Sequence, residues 1–246
     1  MIAIARTIET LSNGAVFAQD DGVVKFGTDA VLLADFARPD KDARVIDLGT
    51  GTGVIPVLLL ARGGIRRADG LELDPRAAAL ANENARLNGF ADRMAVYAAD
   101  LRDVRHSALP AGGYDYVAAN PPYRKTASGK LAANAARAMA RSELACTLAD
   151  VMSAARYLLT FGGKAAFVYL PERLAELTRA MEDANIMPKR VRFVHTRPDK
   201  PAALVMAEGK HGGKPGLTVQ PPLFLHDMDR RETEELRRIY RYSQTT

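Results

Sequence analysis

Residues Asn120-Pro121-Pro122-Tyr123 bring two hydrogen-bond acceptors and an aromatic face together within four positions. They follow Tyr114 to Ala119, an alternating and then apolar run that reads as a strand reaching its carboxyl end. The two prolines carry no N–H and cannot continue a ladder, so the chain must leave the sheet here with the Asn120 side chain and the Pro121 carbonyl free to accept. An amide oxygen and a backbone carbonyl aimed the same way suit a planar group with two N–H bonds, such as the exocyclic amine of a nucleobase. The Tyr123 ring suits stacking on that plane. Asparagine and proline are equally at home in a plain strand-to-loop exit, so the tetrapeptide alone leaves both readings open.

A second group lies in Val45-Ile46-Asp47-Leu48-Gly49-Thr50-Gly51-Thr52-Gly53. A buried strand ending in a glycine-rich turn that opens a helix lets the backbone approach a ligand and points N–H groups at it. The spacing is G-x-G-x-G, not the dinucleotide G-x-G-x-x-G. Glu72 falls 25 residues after Asp47, at the end of the next strand-like run, where an acid is placed for ribose hydroxyls. Leu73 beside it either lines one face of an adenine ring or joins the core. Asp100, at the end of the third such run, is either an acceptor for an adenine amine or the cap of the following helix.

These groups need a scaffold, and the chain supplies one by alternation. Asn13-Gly14 and Asp20-Asp21-Gly22 flank Val16-Phe17-Ala18 and Val23 to Phe26, which predicts a small β-hairpin. Thr28-Asp29 opens a short helix that stops before Pro39. From Arg44 the runs Arg44 to Leu48, Val54 to Ala61, Ala68 to Leu73, Pro75 to Leu87, Met94 to Ala98 and Tyr114 to Ala119 read as repeated β-α, hence a largely parallel, doubly wound sheet. Further on, Thr147 to Leu159 reads as helix, Gly162-Gly163 as a turn, Lys164 to Leu170 as strand and Pro171 to Ala184 as helix. Val191 to His195 and Ala202 to Glu208 are joined by too few residues for a crossover helix, so they must be antiparallel. Leu217 to Leu225 reads as a strand and Arg231 to Tyr242 as a charged helix.

With 246 residues and 48% hydrophobic content, the chain can bury a sizeable core. A net charge of +5 permits an anionic partner without proving one. The single cysteine, Cys146, excludes an internal disulfide and fits a reducing compartment. No apolar run is long enough for a signal peptide or a bilayer span, so a soluble cytoplasmic protein without a membrane partner is expected. His106, His195, His211 and His226 lack ligand spacing, so no metal is expected. Residues 124–141 carry Arg124, Lys125, Lys130, Arg137 and Arg141 with no acid, directly after the tetrapeptide. Residues 186–216 add seven bases against two acids. Such stretches suit phosphate contacts that weaken with salt, although any one base taken singly is better explained as a solvated surface.

In this order, the four strand ends resemble those of the class I S-adenosylmethionine-dependent methyltransferases. The resemblance implies an α/β, Rossmann-like fold with a doubly wound, mostly parallel seven-stranded sheet whose last strand is antiparallel, preceded by a small hairpin and helix. It implies one methyltransferase domain over residues 1–246, with residues 1–40 as N-terminal hairpin and helix, 41–209 as catalytic core and 210–246 as a strand and helix extension. Gly49, Gly51 and Gly53 with Asp47 would hold the amino-acid part of the cofactor, Glu72 its ribose, and Leu73 and Asp100 its adenine. The Asn120 tetrapeptide is similar to the signature of enzymes methylating adenine N6, cytosine N4, guanine N2 or glutamine N5, with Asn120, Pro121 and Tyr123 in the catalytic role. Phe26 to Ala34, Ala140-Arg141-Ser142-Glu143 and Gly209 to Leu225 resemble the bacterial tRNA adenine-N6 methyltransferases, which act on the adenosine 3′ to the anticodon of a valine tRNA. Ser142 stands where many relatives have a histidine. The same resemblance puts Thr28 and Asp29 near the methionine end of the cofactor; helix capping is the alternative. The resemblance implies tRNA as partner, and charge placement independently makes Arg124, Lys125, Lys130, Arg137 and Arg141 the best candidate RNA contacts. Two other readings compete. One is a glutamine-N5 methyltransferase acting on release factors, which usually carries a helical domain before the first strand. The other is a non-catalytic cofactor-binding protein that interacts with tRNA, against which the intact Asn120 argues.

Overall fold

The structure, a computed structural model, describes residues 6–20, 23, 27–121 and 146–241. In chain order its strands and helices are β1 (Arg6–Thr10), β2 (Val16–Asp20), α1 (Thr28–Phe36), β3 (Arg44–Leu48), α2 (Val54–Arg62), β4 (Arg67–Glu72), α3 (Pro75–Leu87), β5 (Val96–Ala98), β6 (Tyr114–Ala119), α4 (Leu148–Leu158), β7 (Leu159–Tyr169), α5 (Leu174–Asp183), β8 (Ile186–His195), β9 (Ala202–His211), β10 (Thr218–Val219), β11 (Leu223–Phe224) and α6 (Glu234–Tyr240). Short 3₁₀ turns span Leu101–His106 and Pro171–Arg173.

One sheet organises these elements, in the order β10-β8-β9-β7-β6-β3-β4-β5, with β11 also paired to β8. Strands β3 to β7 run parallel. β9 runs antiparallel to β7 on one side and to β8 on the other. The seven expected strands are therefore present with their antiparallel member, and two short strands parallel to β8 bring the sheet to nine. The middle strands are buried on both faces, with Val45, Ile46, Val117 and Ala118 fully enclosed, because helices cover the sheet on either side.

Several boundaries differ from the sequence reading, each for a local reason. The hairpin forms upstream: β2 pairs with Arg6–Thr10, closed by a turn in which Asn13 Oδ1 accepts from the Ala15 N–H at 2.9 Å. Of the run expected as its partner, residues 24–26 lie outside the described residues. Gly162-Gly163 is an irregularity inside β7, with Gly162 at φ +82°, so the strand begins at Leu159. The stretch from Leu217 splits into two two-residue strands because Pro221 and Pro222 offer no N–H to the ladder. The helix expected from Pro171 opens as a 3₁₀ turn before α5.

A buried polar network ties the antiparallel part of the sheet to its centre. The Tyr116 hydroxyl donates to Glu208 Oε2 at 2.5 Å and accepts the Arg38 N–H at 3.1 Å, while Arg190 pairs with the same Glu208 oxygen at 2.8 Å and lies over the Phe36 ring. Among the described residues, no helix is long and apolar enough to cross a membrane.

Candidate active site

Strand register places four sequence features along one edge of the sheet. Ala119 pairs with Leu48, and Leu48 with Leu71, so the next residues outward, Asn120, Gly49 and Glu72, form a row at the carboxyl ends of β6, β3 and β4. Glu72 pairs in turn with Ala98, two residues before Asp100. In an open parallel sheet this edge is where ligands bind, and β3 and β6 flank the point where the strand order reverses. Asn120 is half-buried and Pro121 buried at the exit of β6. Tyr123, Arg124, Lys125, Lys130, Arg137, Arg141 and Ser142 lie outside the described residues.

The glycine loop is folded back over β4. The Gly49 and Thr50 N–H groups both donate to the Leu71 carbonyl, at 2.8 and 3.1 Å. Glu72 ties the loop down further: Oε2 accepts from the Gly51 N–H at 2.8 Å and Oε1 from the Asp74 N–H at 2.9 Å. Gly49, Gly51 and Gly53 all take positive φ, at +70°, +55° and +80°. They differ in surroundings. A Cβ at Gly49 or Gly51 would meet no atom of the described residues within 4 Å, whereas one at Gly53 would lie 2.7 Å from Met94 Cε and 3.1 Å from Ala81 Cβ. Gly53 is thus required by packing as well as by backbone, and the open side of the loop is at Gly49 and Gly51.

Behind the loop, Asp47 is 1% exposed. Burial pushes its carboxyl up to about 8, with the neighbouring Thr50 side chain lowering it and the Glu72 carboxylate raising it. Asp47 Oδ1 and Thr52 Oγ1 are buried without a hydrogen-bond partner among the described residues. Buried oxygens left unpaired are uncommon in folded proteins. Together with the open space at Gly49 and Gly51, they fit a ligand that brings hydrogen-bond donors to this loop.

The remaining candidates occupy this edge or its surroundings on different terms. Leu73 is 50% exposed at the end of β4, so it is not part of the core. Asp100 caps the 3₁₀ turn through the Arg102 N–H at 2.9 Å and pairs with the Arg102 guanidinium at 2.5 Å, which holds its carboxyl below the usual range. Its capping role is present, and the ion pair leaves it ionised as an acceptor. The N-cap of α1 is Gly27, which has no side chain to cap with, and Thr28 and Asp29 are the first helical residues. Thr28 Oγ1 accepts from the Tyr240 hydroxyl at 3.3 Å, beside a cavity of about 460 Å³ that runs between Ser12 and α6.

One positioning residue escaped the sequence reading. Asn84, fully buried on α3, donates from Nδ2 to the Thr52 carbonyl of the loop at 2.9 Å, and its Oδ1 accepts from the Ala18 N–H of the hairpin at 2.7 Å. It therefore couples β2 to the glycine loop. Its signal was available: Ala77, Leu80, Ala81, Asn84 and Ala85 form the buried stripe of α3, and an asparagine on such a stripe must have polar partners. In the basic stretch of residues 186–216, Arg190 and Arg197 pair with its own acids Glu208 and Asp199, and Arg192 pairs with Glu235 from outside the stretch, which leaves one base fewer than its composition suggests. Among the described residues, no three His, Cys, Asp or Glu side chains group as a metal site.

Comparison with known proteins bears on what this edge does. A tRNA1(Val) (adenine(37)-N6)-methyltransferase of Porphyromonas gingivalis is 32% identical over 190 residues, covering 75% of this chain and 74% of that protein. The protein of the same name from Dickeya chrysanthemi is 30% identical over 230 residues, covering 91% and 89%. Among solved structures, a predicted O-methyltransferase from Agrobacterium tumefaciens superposes with a TM-score of 0.70 over 88% of this chain and 97% of its own, at 21% identity. The geranyl diphosphate C-methyltransferase of Streptomyces coelicolor A3(2) superposes at 0.53 over 75% of each chain, at 16% identity. At these identities the two structures speak for the fold alone. Residues 7–168 match the family model described as the methyltransferase small domain. With that match spanning more than half of the sequence, the chain belongs to the methyltransferase small domain family.

Proposed function

We propose that the protein is an S-adenosylmethionine-dependent tRNA methyltransferase that modifies N6 of an adenosine, the one 3′ to the anticodon of a valine tRNA. The observation that carries this reading is the row formed by Asn120, Gly49 and Glu72, which brings an amine-accepting motif beside a glycine loop whose open side could hold a ligand. The names of the sequence relatives supply the substrate class. When bound, S-adenosylmethionine supplies an electrophilic methyl group carried on a sulfonium. Asp47, Gly49, Gly51 and Gly53 would hold its amino-acid end, with Thr28 and Asp29 nearby, Glu72 its ribose hydroxyls, and Leu73 and Asp100 its adenine.

The chain's own work is positioning and charge stabilisation. Adenine N6 is a poor nucleophile because its lone pair is delocalised into the ring. Accepting its two N–H bonds at Asn120 Oδ1 and the Pro121 carbonyl favours the positive charge that builds on nitrogen, so no strong base is needed. Holding the amine in line contributes through effective concentration, for which values on the order of 10⁵ M are attainable. Tyr123 would stack on the base, a contact typically worth about 1–3 kcal/mol. Arg124, Lys125, Lys130, Arg137 and Arg141 would contact the RNA backbone. We read residues 1–246 as one cytoplasmic domain, with residues 1–40 and 210–246 built onto the 41–209 core.

The test is incubation with methyl-labelled cofactor and either bulk tRNA or release factor, followed by digestion to nucleosides or peptides. Label in N6-methyladenosine supports the reading. Label in glutamine would transfer the protein to the release-factor chemistry, and label in neither substrate would refute the enzymatic reading.

A further inference from the structure

The opposite end of the sheet carries a second group of side chains that this chemistry does not use. It lies about 20 Å from the Asn120 row, the length of a six-residue strand at roughly 3.3 Å per residue. There the start of β7, the end of β9 and the turn before β6 border an open cavity of about 590 Å³, lined by Arg105, Gly112, Arg156, Tyr157, Phe161 and His211 among others. Among the described residues, no acidic side chain lines it. Arg105 lies 5.1 Å from the centre of the Tyr157 ring, and neither Arg105 nor Arg156 forms an ion pair among the described residues.

Phe161 is 77% exposed, yet the fold holds it in place. It meets the His211 ring edge-to-face, with centroids 5.4 Å apart, and Gly212 makes room for it, since a Cβ there would overlap the ring. His211 is 3% exposed and fixed by a 2.9 Å hydrogen bond between Nδ1 and the Thr160 carbonyl. A carbonyl can only accept, so Nδ1 carries a hydrogen, and in the neutral ring Nε2 is then the acceptor. Among the described residues, Nε2 is buried without a partner.

We propose that this cavity is a second RNA contact, taking an unstacked nucleotide of the same tRNA whose adenosine is methylated at the other end of the sheet. The proposal rests on the tRNA reading above. Phe161 provides a stacking face held in advance, the Arg105 and Arg156 guanidiniums meet phosphate, and His211 Nε2 accepts from a base or ribose donor. Burying two unpaired guanidiniums against a neutral or cationic surface would leave both charges without a partner, which favours an anionic occupant over a protein face.

The test uses the full chain with an Arg105→Glu/Arg156→Glu double variant, Phe161→Ala, and Arg105→Lys/Arg156→Lys as the charge-retaining control. Binding to an unmodified valine tRNA transcript is followed by fluorescence anisotropy between about 50 and 200 mM salt. Charge reversal is expected to weaken binding by about tenfold or more, and to flatten the plot of log affinity against log salt by roughly 1.5, the loss of two phosphate contacts. Phe161→Ala is expected to weaken binding about tenfold, and the lysine variant to keep most of the salt slope. Cofactor affinity and the rate at saturating tRNA should stay at wild-type values. If the wild type binds and methylates tRNA while the charge-reversed variant keeps its affinity and slope, this inference is overturned and the substrate reading stands, whether a protein or nothing occupies the cavity. If the wild type fails to bind tRNA, the substrate reading fails and takes this inference with it.

Discussion

Alanine at Gly53 and at Gly51 should separate a glycine kept for packing from one kept for a ligand. Both residues take a left-handed backbone, at φ +80° and +55°, which costs a residue with a Cβ about 1–2 kcal/mol. Gly53 alone carries a second penalty. Its new methyl would meet Met94 Cε at 2.7 Å and Ala81 Cβ at 3.1 Å, and overpacking of this kind adds about 1–3 kcal/mol. Met94 can swing its terminal methyl aside; Ala81, rooted on α3, cannot. The expected losses are therefore about 2–5 kcal/mol for Gly53→Ala and about 1–2 kcal/mol for Gly51→Ala. Urea unfolding at matched m-values reads both. Calorimetric titration of the folded variants with cofactor should then rank them in reverse, with Gly51→Ala losing affinity because its methyl projects into the open side of the loop. Equal stabilities for the two variants would refute the packing argument. Wild-type cofactor affinity in Gly51→Ala would mean that the ligand does not approach the loop there.

Three further outcomes follow from the same geometry. Asn120→Ala should bind cofactor as the wild type does while losing methyl transfer, read by calorimetry and label incorporation; loss of both would mean that Asn120 serves the cofactor instead. Tyr116→Phe should cost about 1–3 kcal/mol in urea unfolding, because the Arg38 N–H and the buried Glu208 Oε2 each lose a partner; no loss would show that the Arg190–Glu208 pair suffices alone. Because burial holds the Asp47 carboxyl at about 8, above its unfolded value of roughly 3.9, the folded chain retains a proton that the unfolded chain releases, so stability should fall as pH rises from about 4 to about 8. Asp47→Asn should make that fall shallower, and equal slopes in wild type and variant would remove Asp47 as its source.

The central strands were legible because strands buried on both faces are written as short apolar runs, and the ends of those runs at Leu48, Glu72 and Ala119 mark the row that holds the candidate site. The hairpin partner was not, since Arg6–Thr10 is exposed throughout and carries no alternation to give it away. Gly162-Gly163 suits a turn and an in-strand irregularity equally, and only pairing with β6 and β9 selects the second. Charge was the least local feature. Arg190 finds Glu208 within the 186–216 stretch, where a count already sets it against the bases, but Arg192 finds Glu235 43 residues away and outside that stretch, where the count cannot see it. Asp100 shows the opposite limit: its alternatives as cap and as ligand acceptor were both visible, and the Arg102 pairing satisfies the first without excluding the second.

The two edges of the sheet differ in what they offer to a second chain. At one edge β5 offers only three residues, Val96–Ala98. At the other, the ten-residue β8 would present a long unpaired ladder, but β10 and β11 lie along it in two short pieces separated by Pro221-Pro222, whose nitrogens have no hydrogen to offer a neighbour. Long bare edges are templates on which one copy of a chain recruits the next. In the described part of this sheet, one edge is too short to serve as such a template and the other is capped by the segment that follows Gly216, so the same C-terminal strands that extend the fold also insulate it against chain-to-chain growth.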